Sequence, residues 1–266
     1  MGPRIAIPLP HGGDSAYAER ALPEYARALE LSGAEPVLVP LDRAPGEAMR
    51  LIERSAGVLL PGSKADVDPA KFGARAHPKT QPSDPGRDRI DELLLQDAYN
   101  MHKPILGICY GLQILNVYRS GTLVQHIESV IDHARGRKPP AAHQVEVEPG
   151  SKLAEILSPR PRAAGSRAGE NAPFDPGDKL LIPVNSSHHQ SADVVGDGLK
   201  VVARCPQDGI IEAVEGTSPH HFVLAVQWHP ERSFDDDEGS RRIFRALVEA
   251  ANQPGRGLAG EFESPA

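Results

Sequence analysis

Two cysteines in 266 residues cannot build a disulfide framework, so a reducing compartment is the default for this chain. No apolar run approaches the roughly 20 residues needed to span a bilayer. No apolar signal core follows Met1-Gly2-Pro3-Arg4. Positive charge is not in excess either: 29 Lys and Arg stand against 36 Asp and Glu, a formal net charge of −7. That balance argues against a protein that binds nucleic-acid backbones, which normally shows a basic face. There is no internal repeat and no domain-sized linker. These absences leave a soluble, cytoplasmic globular protein, with no membrane and no nucleic acid among its partners. What the chain has in plenty is proline, 26 residues, and glycine, 25, which predict many loops and sharp turns. With 39% hydrophobic and 24% charged residues, a sizeable core is expected.

The first half alternates short apolar runs with helical patterns. Strands are expected at Arg4 to Leu9, Pro36 to Leu41, Gly57 to Leu60 and Pro104 to Cys109. Helices are expected over Ser15 to Ser32, Pro45 to Ser55 and Arg87 to His102, the first capped by Asp14 or Ser15 and ended by Gly33. The run Pro104 to Cys109 is nearly all apolar, as in a parallel-sheet strand buried on both faces. The second half is richer in strands: His143 to Glu148, Leu180 to Val184, Leu199 to Arg204, Ile210 to Val214 and Val223 to Trp228, with helices at Lys152 to Leu157 and Arg241 to Ala251. The fold class that follows is α/β: a mostly parallel central sheet with helices on both faces, plus a smaller antiparallel extension. One domain over 1–253 and a flexible tail over 254–266 are expected. Ser63 to Gly86 and Ser158 to Asp178 read as loose segments with few anchors.

One stretch carries chemistry. Gly107-Ile108-Cys109-Tyr110-Gly111 follows the buried strand and opens an apolar helix. Strand, Gly-x-Cys-x-Gly, helix has the mechanics of a nucleophile elbow: a sharp turn lifts the central side chain above the sheet, and crowding requires small residues two before and two after. The helix N-terminus predicts a thiol shifted toward thiolate. A thiol that attacks a carbonyl needs a base, and the base needs a group to orient it. Of 11 histidines, His229 stands out, ending an apolar strand in His229-Pro230-Glu231. Positions i and i+2 on a strand share a side, so Glu231 can orient His229.

Other features read more plainly. Adjacent residues on a strand face opposite ways, so His188-His189 and His220-His221 are poorly spaced for a metal, and no metal and no cofactor are expected. One of His188 and His189 is expected to line a cleft, His220-His221 to form a solvated turn, and Cys205 to be a core thiol. Asp235 to Glu238 reads as a solvated charge run before the last helix.

Together these motifs resemble the class I glutamine amidotransferases, and within them the peptidase C26 branch of γ-glutamyl hydrolases. The resemblance rests on Gly-Ile-Cys-x-Gly-x-Gln-x-Leu-Asn at Cys109 and Val-Gln-Trp-His-Pro-Glu at His229. It is supported by Pro61-Gly62-Ser63…Asp66-Val67-Asp68-Pro69, by Gly121-Thr122-Leu123-Val124-Gln125, and by Val184-Asn185-Ser186-Ser187-His188-His189-Gln190. It implies a flavodoxin-like fold, Cys109 as nucleophile, His229 as base and later acid, and Glu231 as orienter. It implies an oxyanion hole from the backbone N–H of Tyr110 and one from Gly62 or Ser63, and substrate contacts at Gln113, His188 and His189. The implied reaction is cysteine-dependent hydrolysis of a small γ-glutamyl amide through a thioester, releasing glutamate and an amine. Tyr110 stands where the hydrolase branch usually has Arg, which points its side chain toward the leaving amine. Two alternatives stay open: a glutaminase subunit that supplies ammonia to a separate synthetase partner, and a non-catalytic binding module of the same fold. The chain carries no ATP-binding loop or synthase domain, which favours the hydrolase. A homodimer also stays open.

Overall fold

The computed structural model describes residues 2–137, 140–158 and 179–253. The expectations for the Ser158 to Asp178 stretch and for the tail from 254 therefore fall almost wholly outside the described residues. The strands are β1 (Arg4–Pro8), β2 (Glu35–Val39), β3 (Gly57–Leu60), β4 (Ile105–Ile108), β5 (Leu123–Val124), β6 (His143–Val147), β7 (Leu180–Val184), β8 (Ser191–Ala192), β9 (Leu199–Arg204), β10 (Ile211–Gly216) and β11 (Val223–Val226). The helices are α1 (Ser15–Leu31), α2 (Pro45–Glu53), α3 (Pro85–Met101), α4 (Tyr110–Tyr118), α5 (Lys152–Leu157) and α6 (Glu238–Asn252).

One sheet runs in the order β2-β1-β3-β4-β11-β10-β9-β6-β7, and β5 pairs with β8 separately. The pairs β1–β2, β1–β3, β3–β4 and β4–β11 are parallel. The pairs from β11 out to β7 are antiparallel. The expected parallel sheet and its antiparallel extension are thus one continuous surface. Strands β3, β4 and β11 are buried along their whole length, because helices cover both faces.

Alternation along the strands sorts the core into two layers. Ile5, Ile7, Leu59, Leu106 and Ile108 pack with Tyr25 and Leu29 of α1 and with Phe244 and Leu247 of α6. Ala6, Val58, Leu60 and Ile105 pack with Ile52 of α2, Leu94 of α3 and Leu115 of α4. Each fully buried Leu, Ile or Phe contributes roughly 1.5–3 kcal/mol. Asp14 caps α1, accepting from the Tyr17 N–H at 2.8 Å.

Two loop expectations are corrected. Ser63 to Gly86 is anchored: Val67 is buried, Pro69–Phe72 forms a 3₁₀ turn, and Asp66 accepts from the Gln81 N–H at 2.7 Å. Gln125 pins the same loop, accepting from the His77 N–H at 2.8 Å and the Thr80 hydroxyl at 2.9 Å. His221 is buried, its Nε2 donating to the Lys103 carbonyl at 2.7 Å, while His220 is exposed. Asp237, in the acidic run, caps α6 through the Ser240 N–H at 2.6 Å. Among the described residues no helix is long and apolar enough to cross a membrane.

Candidate active site

Cys109 sits between β4 and α4 with φ 55° and ψ −106°, a strained backbone for a side-chain-bearing residue. Small neighbours permit the turn. A Cβ on Gly111 would lie 2.1 Å from the Leu60 carbonyl oxygen, and one on Gly107 would lie 2.8 Å from the Gly111 carbonyl oxygen. The Cys109 N–H donates to the Val226 carbonyl at 2.8 Å, tying the elbow to β11.

Just beyond β11, His229 is gripped at three points. Its N–H donates to Asn185 Oδ1 at 2.9 Å, its carbonyl accepts from Asn185 Nδ2 at 2.8 Å, and its Nδ1 donates to Glu231 Oε1 at 2.7 Å. The ring's Nε2 remains for chemistry. Cys109 and His229 line one cleft of about 260 Å³, and both approach Gly62. A Cβ there would stand 3.0 Å from His229 Cε1 and 3.6 Å from Cys109 Cβ. The cleft also brings in Ser63, Gln113, His188 and His189.

Burial sets the protonation states. It pushes the Cys109 thiol up to about 12, against the pull of Arg232 and of the Tyr110 N–H. It also lowers His229 below the ordinary imidazole range, outweighing Glu231. Glu231 is buried too, but His229 and Arg232 hold its carboxyl below the usual value. The expected thiolate is therefore corrected: the resting pair is a neutral thiol beside a neutral imidazole, because desolvation exceeds the helix-terminus effect. Thiolate grows with pH toward about 12. Alkylation of Cys109 by iodoacetamide, followed by peptide mass spectrometry, is thus expected to accelerate about tenfold per pH unit from neutral upward. A plateau below pH 8 would contradict this.

Tyr110 is the second correction. Its backbone N–H lies at the elbow, but its side chain is buried away from the cleft. The hydroxyl donates to Asp88 Oδ1 at 2.9 Å, and the ring lies 4.9 Å from the Arg87 guanidinium carbon. It does not line the cleft. Of the two alternatives in the Pro61 loop, the Gly62 N–H is engaged, donating to the Tyr25 hydroxyl at 3.0 Å. Gln113 lines the cleft with its amide nitrogen already donating to the Gln190 carbonyl at 3.1 Å. His189 Nε2 meets Asp66 Oδ1 at 3.1 Å at the cleft wall, whereas the His188 ring turns inward, its Nδ1 donating to the Gln190 carbonyl at 2.9 Å.

Three features escape motif reading. Asn185 lies within a quoted motif, but its clamp on His229 needs the fold. Buried Arg87 donates to the Pro61 carbonyl at 2.7 Å and the Pro10 carbonyl at 3.0 Å, fixing the loop that carries Ser63. Its only sequence signal is the i, i+4 spacing to Asp91. Finally, Arg20, Lys64, Arg137 and Arg232 line the cleft; Lys64 is paired with Asp14 at 2.7 Å, Arg137 with Glu24, and Arg232 lies 3.4 Å from Glu231.

A comparison with protein families decides the kinship: the Peptidase C26 family model matches residues 10–231. The chain belongs to the peptidase C26 family. Among C26 relatives, the γ-glutamyl-γ-aminobutyrate hydrolase PuuD of Escherichia coli (strain K12) is 30% identical over 259 residues, covering 93% of each chain. A Mycobacterium tuberculosis protein, provisionally named a glutamine amidotransferase, is 37% identical over 232 residues, covering 86% of this chain and 67% of its own. Among solved structures, the glutaminase domain of the Trypanosoma brucei CTPS with bound acivicin aligns at TM-score 0.58 and 17% identity, covering 93% of each chain. PurLQS from Thermotoga maritima aligns at 0.54 and 21% identity, covering 94% of this chain and 99% of that one. Those likenesses establish the class I amidotransferase fold for this C26 protein.

Proposed function

We propose that the protein hydrolyses γ-glutamyl amides through a Cys109 thioester. The observation that carries this reading is His229, held on Glu231 at 2.7 Å and facing the same cleft as the elbow thiol. Because thiol and imidazole rest neutral, attack and proton transfer are coupled. Cys109 Sγ adds to the side-chain carbonyl as its proton passes to His229 Nε2. The oxyanion forms between the Tyr110 N–H and the Ser63 N–H, the loop donor not spent on Tyr25. One such donor is worth roughly 2.7–4 kcal/mol. Collapse expels the amine with the proton from His229. Water, deprotonated by His229, then cleaves the thioester, and glutamate departs with Cys109 restored as thiol.

Arginines on the cleft wall support an anionic substrate: Arg20, stacked on the Tyr17 ring, and Arg232, shared with Glu231, can meet the glutamyl α-carboxylate. Purified protein is to be assayed for glutamate release from γ-glutamyl-γ-aminobutyrate, from γ-glutamyl amides of uncharged amines, and from glutamine. Release from the γ-glutamyl amides is expected. Turnover of glutamine alone would identify a glutaminase instead, and no release from any of them would overturn the proposal. Tyr110 is buried beside Asp88, so Tyr110→Arg is not a route to altering amine preference.

A further inference from the structure

Behind the cleft, four side chains from distant parts of the chain converge. His133 lies in the loop before β6, His143 opens β6, His188 follows β7, and Glu212 is on β10. Their side chains are 1%, 2%, 1% and 0% exposed. His133 Nδ1, His143 Nε2 and His188 Nε2 lie 3.3, 3.4 and 3.7 Å from Glu212 Oε1. One ligand atom from each residue lies within 4.8 Å of every other. Yet none of these nitrogens has a hydrogen-bond partner, and neither does either Glu212 oxygen. Such a concentration of unsatisfied buried atoms demands an explanation.

The outer nitrogens supply it. His188 Nδ1 is 2.9 Å from the Gln190 carbonyl and His143 Nδ1 is 3.1 Å from the Gln144 carbonyl. A carbonyl only accepts, so the proton of each neutral ring sits outward and a lone pair points inward. His133 Nε2 is likewise held by Asp208 Oδ2 at 2.8 Å. The lone pairs of His143 and His188 then face the Glu212 carboxylate with no proton to offer it; a second proton on His133 Nδ1 would pair with Glu212 but leave those lone pairs unmet, whereas a cation meets all four residues at once. Outward hydrogen bonds to carbonyl or carboxylate are also how metal-binding histidines are oriented. The three nitrogen-to-Oε1 spacings, 3.3, 3.4 and 3.7 Å, come close to the roughly 3.3–3.4 Å edges of a tetrahedron with bonds of about 2.0–2.1 Å.

We propose that His133, His143, His188 and Glu212 bind one divalent cation of the zinc class. Four protein ligands and near-zero exposure make it a closed, structural site with no position left for substrate. The adjacent-histidine argument against a metal considered His188 only with His189; the fold brings the other ligands from elsewhere. A second grouping, His133 with Cys205 and Asp208, is not the site. Its atoms are occupied: Cys205 Sγ donates to Gln207 Oε1 at 3.2 Å, and Asp208 Oδ2 accepts from Ser129 at 2.5 Å and holds His133. The cation would lock β6 and β10 to the 185–190 segment, whose Asn185 grips His229.

The test is metal analysis of the full-length protein, purified without chelator or a metal-affinity step and then reconstituted with Zn²⁺ and dialysed. About one zinc per chain is expected by mass spectrometry, with loss of zinc lowering the thermal midpoint. The cobalt-substituted protein should show the visible bands of tetrahedral Co²⁺ and no thiolate charge-transfer band. Glu212→Gln and His143→Gln should lose the metal, Asp208→Asn should weaken it about 10–100-fold, and Cys205→Ser should keep it. Less than about a tenth of an equivalent in the reconstituted wild type overturns the proposal. So does a thiolate band with loss of metal in Cys205→Ser, or full retention in both ligand variants. Should the ligand variants fail to fold, wild-type stoichiometry and the cobalt spectrum still decide.

Discussion

Replacing Cys109 with alanine is expected to lower turnover by a factor on the order of 10⁵–10⁶, the scale seen when a covalent nucleophile is removed from a hydrolase. Among the described residues the other cysteine, Cys205, is buried and engaged with Gln207, so no second thiol can take over. Substrate affinity should change little, because Arg20 and Arg232 still line the cleft. The measurement pairs steady-state glutamate release with substrate binding by calorimetry. Mass spectrometry of acid-quenched wild type should also reveal a glutamyl adduct on the Cys109 peptide, absent from the variant. Wild-type turnover in Cys109→Ala would sink the covalent reading, and with it the proposed function.

The largest effect on stability is expected at Asp91. Arg87 and Asp91 are both fully buried, with Arg87 Nε 2.8 Å from each carboxylate oxygen. Burial pushes the Asp91 carboxyl up to about 6 even against the attraction of Arg87. Asp91→Ala leaves a guanidinium stranded in an apolar layer and should cost about 3–5 kcal/mol. In a domain of this size that lowers the thermal midpoint by about 6–20 °C. The double variant Arg87→Met/Asp91→Leu removes both charges and should recover most of that loss. It should not recover activity, because the Pro61 carbonyl loses its Arg87 donor and Ser63 is no longer held. Calorimetry and kcat on the same preparations separate the two roles. Equal recovery of both would show that Arg87 does nothing for the loop.

How much could be read from the sequence follows the range of each signal. The elbow was legible because Gly107, Cys109 and Gly111 encode it within five residues, and the strand and helix around it have their own periodicity. The parallel, doubly covered character of the core followed from continuous apolar runs such as Ile105–Ile108, but not the order of its strands. Tyr110 was misplaced because adjacency to Cys109 was taken as adjacency to the cleft. It is the first residue of α4, and the helix turns its side chain toward α3 and Asp88. His221 was misread because its partner, the Lys103 carbonyl, lies 118 positions away. The convergence of His133, His143, His188 and Glu212 was invisible for the same reason, since no local spacing records that β6 and β10 flank β9. The thiol's protonation state was beyond motif reading altogether, since it depends on how completely neighbours exclude water.

The pairing of β4 with β11 has a consequence for biosynthesis. Ile108 stands opposite Val226, so the elbow and the histidine approach each other only as these two parallel neighbours zip together. Parallel partners so far apart in the chain pair late, after a long loop has closed. On the ribosome, most of the polypeptide must emerge before His229 and Glu231 exist at all. The first half can collapse around β1 to β4 with its thiol in place and no imidazole beside it. A nascent or truncated chain therefore holds the thiol without its imidazole, and the two meet only when β11 joins β4 at the centre of the sheet.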